Sequence, residues 1–109
     1  MNDLARTFSA LADETRLSLV DRLLSDGELP AGDLAQGLDI TAPAVSRHLK
    51  VLRQAGVIAQ RAEGTRRLYS IRPEALKRIN GWTMDHRAVW ADSLDRLDGL
   101  LALDPEGDT

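Results

Sequence analysis

Thr41-Ala42-Pro43-Ala44-Val45-Ser46-Arg47-His48-Leu49-Lys50-Val51-Leu52-Arg53-Gln54 is the stretch whose reading decides the fold. Thr41 carries a side-chain oxygen suited to a helix N-cap, and Pro43 falls in the first turn, where its missing N–H costs nothing. Val45, Leu49 and Leu52 recur at i, i+4 and i+7, the signature of one buried helix face. At 100° per residue, Pro43, Arg47, Lys50 and Gln54 then point away from that face. Ser46 and Arg53 lie on one flank, Ala44 and Val51 on the other. Gly56 is placed to stop the helix as its C′ residue.

Upstream, Pro30 sits in the first turn of a short helix carrying Leu34, Ala35 and Leu38. Gly37-Leu38-Asp39-Ile40 supplies a turn with a buried Ile. Two short helices joined by a tight turn, the second capped and basic, read as a helix-turn-helix. Further back, Leu4, Phe8 and Leu11 mark a first helix. Asp13 is an N-cap with Arg16 at N3, and Leu17, Val20, Leu23 and Leu24 form the stripe of a second helix that ends at Gly27. Phe8, Leu17, Val20, Leu34, Val45, Leu49 and Leu52 are the expected core.

Beyond Gly56 the period changes. Val57–Ala62 and Arg67–Ile71 are strand candidates, and Glu63-Gly64-Thr65-Arg66 between them has the chemistry of a hairpin turn. Pro73 opens a last helical region in which Gly81 is expected to kink or break the chain. From about Thr83 to Leu103 the pattern is helical, with Trp90, Leu94, Leu97 and Leu101 on an a/d seam. The expected class is therefore mainly α with a small β-hairpin: one domain over residues 1–103 and a flexible tail over 104–109.

The chain of 109 residues has 43% hydrophobic residues, no cysteine and a formal net charge of −3. It is too apolar to be disordered and long enough for one core. Without cysteine there is no disulfide, thiolate metal site or Cys nucleophile. No apolar run approaches a membrane span, and no signal peptide is apparent, so a cytoplasmic domain is expected. The charge is segregated. From Thr41 to Arg72 seven basic residues face a single acid, Glu63, giving +6, while the remainder of the chain carries −9. A local basic block of this kind suits duplex DNA despite the acidic total, because phosphate binding follows the local field. A solvated charge face is the plainer alternative.

The motifs Phe8-Ser9-Ala10-Leu11-Ala12-Asp13-Glu14-Thr15-Arg16, Ala42-Pro43-Ala44-Val45-Ser46-Arg47-His48-Leu49-Lys50-Val51-Leu52, Ala55-Gly56-Val57-Ile58 and Arg61–Tyr69 together resemble the ArsR/SmtB-type winged-helix repressors over about residues 4 to 80. The likeness extends to the branch that lacks the metal-site cysteines. It implies a winged helix-turn-helix that dimerises through its terminal helices and represses transcription by binding an inverted-repeat operator. It also implies a wing laid over the flanking minor groove.

The expected DNA-binding residues are Thr41, Ala42, Pro43, Ala44, Ser46, Arg47, Lys50 and Arg53 of the recognition helix and Arg61, Arg66 and Arg67 of the wing. The Arg47 fork matches guanine O6 and N7; Ser46 can reach a base or a phosphate, and the Ala44 methyl can meet a thymine methyl. Lys50 and Arg53 suit phosphates, with an ordinary exposed face the alternative for Arg53. Thr41 is a cap that can also hold a phosphate. The family often has Gln where Ala42 stands, so an operator cannot be transferred from relatives. His48 reads as a packed or backbone-bonded histidine. Strand alternation puts Arg66 and Arg67 on opposite faces, so one of them meets DNA from a given side; both can also serve to block edge pairing.

Leu4, Phe8, Trp90, Leu94, Leu97 and Leu101 are the expected dimer contacts. Trp82 and Trp90 read as packing aromatics, with a ligand pocket as the alternative. The thiolate pair of metal-sensing relatives is replaced by Pro30 and Gly32, and Asp85-His86 alone is a weak metal signal. No metal or other cofactor is expected. No Gly-rich phosphate loop or nucleophile elbow is present, so the chain does not read as an enzyme. Two other readings remain at this point: a winged-helix protein-interaction module that ignores DNA, and a metal-responsive repressor using His86. No residue pattern names an inducer.

Overall fold

The computed structural model describes residues 3–103. Helix α1 spans Asp3–Leu11 and α2 spans Glu14–Asp26; a two-residue strand β1 (Leu29–Pro30) leads into the short helix α3 (Ala31–Ala35). The recognition helix α4 spans Ala42–Gln54, the wing is β2 (Ile58–Glu63) and β3 (Arg66–Ile71), and α5 (Pro73–Asp85) and α6 (Arg87–Leu103) complete the order. The chain parts into two compact units between Arg78 and Ile79. That boundary lies inside the stretch expected as one domain, and the expected tail over 104–109 lies outside the described residues.

The first unit is built around α4. Thr41 Oγ accepts the Ala44 N–H at 3.2 Å, which caps the helix as its sequence requires. Val45, Leu49 and Leu52 are 0–2% exposed. They meet Leu19, Val20 and Leu23 of α2, Leu34 of α3, and Val57, Ile58 and Tyr69 around the sheet in one core. Gly56, with φ +76°, takes the left-handed conformation that ends α4. The Val57 N–H then donates back to the Leu52 carbonyl at 2.9 Å, and the chain enters β2 at once.

Strands β2 and β3 pair antiparallel from Ile58↔Ile71 to Glu63↔Arg66. The two-residue connection Gly64-Thr65 has positive φ at Gly64 only, the sign pattern of a type II′ hairpin. The strands reach one residue nearer the turn than their alternation suggests. Strand β1 adds to the other edge of β3, giving the order β1-β3-β2. Two residues, one of them proline, carry no period, so this strand leaves no trace in the sequence; proline is tolerated there because the strand is an edge. Pro30 accordingly stands at the N-cap of α3 rather than within its first turn, and Leu38 follows the helix.

Two expectations about packing are corrected. Phe8 and Leu17 are 40% and 45% exposed, and Leu24 is likewise exposed, whereas Leu19 is fully buried. The rotation of α2 is set at its start. Asp13 caps the helix by accepting the Arg16 N–H at 3.0 Å. The Arg16 guanidinium turns back to the Ala10 carbonyl and lies 3.3 Å from His48 Nδ1. With Arg16 on the inner side, Leu19, Val20 and Leu23 follow it into the core and Leu17 and Leu24 turn outward.

In the second unit the helix runs on through Gly81 and is interrupted at His86 instead. An interior glycine costs a helix only about 1 kcal/mol and does not oblige a break. At His86 the ring Nδ1 lies 2.8 Å from the Trp82 carbonyl, and the backbone N–H bonds Thr83 in a tighter i→i−3 turn.

The burial pattern separates two leucines of otherwise equal size. Leu34→Ala, at a site with no solvent exposure, should lower unfolding free energy by about 2–5 kcal/mol, and Leu24→Ala by no more than about 0.5 kcal/mol. Urea denaturation of the two variants checks this; equal losses would contradict the α2 rotation.

Candidate nucleic-acid interface

Burying one face of α4 fixes what the opposite face presents. Ala42, Pro43, Ser46, Arg47, Lys50 and Arg53 are all exposed, with Ala44 half-buried on the flank, and Thr41 is exposed at the N-terminal end. Beside that end a small apolar notch of about 100 Å³ opens between α3 and α4, bordered by Ala31, Ala35, Ala42 and Ser46. A methyl, not an amide, lines it where relatives often carry Gln.

His48 does not join this surface. Its ring is half-buried, and the 3.3 Å contact with Arg16 Nη1 takes Nδ1 as acceptor, because a guanidinium can only donate. The ring N–H of that arrangement is therefore on Nε2. Asp13 Oδ1 stands 4.0 Å from the same Nδ1, too far to compete. The Asp13 carboxyl is held below its ordinary pKa, first by the Arg16 backbone N–H, then by the charges of Arg16 and His48, against a small opposing desolvation. The group ties the α1–α2 junction to the middle of α4.

The wing is joined to α4 by polar contacts that sequence reading missed. Arg53 donates to Gln60 Oε1 on β2, and Gln60 Nε2 donates to the Tyr69 hydroxyl on β3 at 2.9 Å. Gln60 and Tyr69 are directly paired in the sheet, so they share a face, and by alternation Arg67 lies on that face too. Arg66 and Arg61 lie on the other. Nothing in the local sequence marks Gln60; the only signal is that cross-strand pairing makes it the neighbour of a strand tyrosine.

The three wing arginines are not electrostatically equal. Arg61 donates to both carboxylate oxygens of Glu28, at 2.8 and 2.7 Å, and reaches Glu63 at 3.4 Å. These bonds lower the Glu28 pKa and raise that of Arg61, the side-chain hydrogen bond being the largest cause in each. Arg66 and Arg67 are exposed and form no ion pair among the described residues. The structure thus brings Arg47, Lys50 and the hairpin tip into one unit as exposed cations, and sets Arg61 apart as a neutralised one.

The residues do not fit a metal centre. Cysteine is absent, and among the described residues no three His, Asp or Glu side chains gather as ligands. His86 is engaged by the Trp82 carbonyl and lies with its ring 5.0 Å from the Trp82 ring, which in turn meets Trp90 edge-on at 6.1 Å. No helix among the described residues is long and apolar enough to cross a membrane.

Residues 11–61 match a helix-turn-helix domain family. The chain is 41% identical to the HTH-type transcriptional regulator Rv2034 of Mycobacterium tuberculosis, over 94% of this chain and 91% of that protein. It is similar in structure to a crystallised ArsR family transcriptional regulator, with a TM-score of 0.75 and 29% identity over 83% of this chain and 98% of the other. It is also similar to the homodimeric winged helix-turn-helix DNA-binding domain Mb0332 of Mycobacterium bovis, with a TM-score of 0.62 and 29% identity over 79% and 82%.

The unequal arginines give a measurable contrast. Each phosphate neutralised contributes about 0.9 to the slope of log K against log salt. Arg61→Ala should leave that slope nearly unchanged. Replacing Arg66 and Arg67 together by Ala should reduce it by about 2 for a complex with one wing contact from each of two subunits. Duplex-binding titrations across a salt series check this; a large slope change for Arg61→Ala would show that DNA displaces Glu28.

Proposed function

Because this chain belongs to the ArsR/SmtB-type family of winged helix-turn-helix transcriptional regulators, we propose that it is a homodimeric repressor that binds an inverted-repeat operator through α4 and the wing. The observation that carries the reading is the exposed Ser46–Arg47–Lys50 face of α4, held outward by the complete burial of Val45, Leu49 and Leu52 on the other side.

In this reading the N-terminal half of α4 enters the major groove. Arg47 donates both arms of its fork to guanine O6 and N7. Ser46 bonds a base edge or a phosphate, and Ala44, with the Ala42-lined notch, takes a thymine methyl. Thr41 and Pro43 approach the backbone at the helix start, and Lys50 and Arg53 hold phosphates. Arg66 or Arg67 enters the flanking minor groove, where a narrow groove strengthens the potential that attracts arginine. Arg61, paired with Glu28, holds the wing base in place.

A single domain covers too little DNA for high specificity, and two exposed apolar sets point to a second copy. Trp90, Leu94, Leu97 and Leu101 of α6 are 49–61% exposed, and Phe8 of α1 is also exposed, next to the half-buried Leu4. Each such side chain gains roughly 1.5–3 kcal/mol on full burial. The self-complementary solution is an isologous two-fold contact through the first and last helices. The homodimeric state of the Mycobacterium bovis neighbour supports it. A two-fold dimer sets its recognition helices about one DNA turn, roughly 34 Å, apart.

Two outcomes follow. With an operator obtained by selection from random duplexes, Arg47→Ala should cost about 1–3 kcal/mol per half-site and relax preference at one base position. An unchanged selected sequence would remove Arg47 from the base-reading set. In sedimentation, the wild type should run as a dimer at micromolar concentration and Leu94→Glu/Leu97→Glu as a 12.0 kDa monomer. A monomeric wild type would overturn both the dimer and the inverted repeat.

A further inference from the structure

We propose that the first unit holds a binding site for a small oxyanion, a carboxylate or phosphate group, at the base of the wing where α4 ends and α5 begins. A polar pocket of about 210 Å³ opens there, and three guanidinium groups, Arg6, Arg72 and Arg78, line it together with Asp3 and Glu74. The three arginines come from three different elements, α1, the end of β3 and α5, so no single amphipathic face accounts for their convergence.

Arg78 is the group that calls for a ligand. Its Nε is shut off from solvent and has no hydrogen-bond partner among the described residues. Its Nη2 makes only a long 3.5 Å bond to Thr7 Oγ, whose own hydroxyl is committed to the Asp3 carbonyl. A guanidinium removed from water is retained when its donors are met, and here one of them is not. Arg78 also closes on Gly56: a Cβ there would come within 3.5 Å of Nη2. The absence of a side chain thus leaves the guanidinium room against the turn that ends α4.

The charge balance favours an anion. Glu74 is already engaged: Arg72 Nε lies 3.7 Å away. Its carboxyl is held below the ordinary value first by its own backbone N–H at the start of α5 and then by the charge of Arg72. Arg6 spends one N–H on the Gln54 carbonyl. Arg6 and Arg78 form no ion pair among the described residues, so two positive charges face the pocket uncompensated. An oxyanion accepts from the Nε and Nη of one guanidinium side by side, the geometry that Arg78 Nε lacks a partner for. DNA is not that anion, because β2 and β3 carry the wing tip away from this end of the sheet, and the exposed N-terminal half of α4 is at the opposite end of the helix.

The test uses the full-length protein, free of DNA, so that its failure leaves the regulator reading untouched. Side-chain Nε–Hε resonances of arginine are followed by NMR at constant ionic strength during titration with inorganic phosphate and, separately, with succinate. A saturable shift of the Arg78 signal, at least tenfold weaker in Arg78→Lys and in Arg72→Gln but unchanged in Arg22→Lys, is expected for one of the two probes, and the responding probe identifies the ligand class. If Arg78→Lys does not fold, Arg72→Gln and Arg6→Gln carry the comparison. Shifts that fail to saturate, that chloride reproduces, or that survive all pocket substitutions would overturn the proposal.

Discussion

The rotation of α4 about its own axis is the constraint on which the rest depends. Three side chains, Val45, Leu49 and Leu52, are driven from water, and together their burial is worth several kcal/mol at roughly 1.5–3 kcal/mol each. A turn of the helix by 100° would expose two of them and bury Arg47 or Lys50 without a partner, which costs more than the apolar loss. The Thr41 cap and the Gly56 turn set where the helix starts and stops, and the buried face sets which way it looks. The basic outer face is the residue of that choice. A DNA-reading surface is obtained here without any interaction that holds its arginines in place, and Arg47 and Lys50 stay free to meet a base or a phosphate.

Where the structure does hold a cation, it alters what that cation can do. Arg61 is spoken for by Glu28 and Glu63, and Arg53 is drawn toward Gln60. The +6 of residues 41–72 is thus a count of formal charges, and the field at the proposed interface is weaker at the wing base than at its tip. Binding energy is then concentrated on Arg66, Arg67 and the front of α4. The exposed Glu28–Arg61 pair contributes little to stability. Its effect is to direct the wing: a bidentate bond to a carboxylate in the turn before β1 restrains the middle of β2 relative to the sheet edge.

What was legible in the sequence follows from the range over which each signal acts. Caps and faces are local, so Asp13, Thr41, the Val45–Leu49–Leu52 stripe and the hairpin around Gly64 could be read from residues within one or two turns of each other. The sheet's third strand could not, since Leu29–Pro30 earns its place only by meeting Tyr69 and Leu68. The Glu28–Arg61 pair spans 33 residues, and Gln60 is distinguished only by its neighbours in space. The α2 stripe failed for a different reason. Leu17, Leu19, Val20, Leu23 and Leu24 offer two overlapping apolar faces, and the arbiter is Arg16, whose reach to Ala10 and His48 is tertiary. At Gly81 a weak local preference was overridden by continuation of the helix, and the interruption moved to a histidine that competes for a backbone carbonyl.

The two units differ in how far they satisfy themselves. The first closes a core of aliphatic side chains around α4, while every residue of α6 through Leu101 is exposed. A lone helix of 17 residues, about 25 Å long, is only marginally stable in water without tertiary support. Its exposed Trp90, Leu94, Leu97 and Leu101 recur on one stripe, while Asp92, Asp95 and Asp98 break up the remaining surface. The proposed dimer contact supplies the missing support, which makes order in α6 and association one linked equilibrium. Linkage of this kind has a consequence for regulation. Affinity for a two-fold operator then depends on protomer concentration as well as on the contacts of α4, and anything that stabilises α6 in its paired form raises occupancy without touching a base-reading residue.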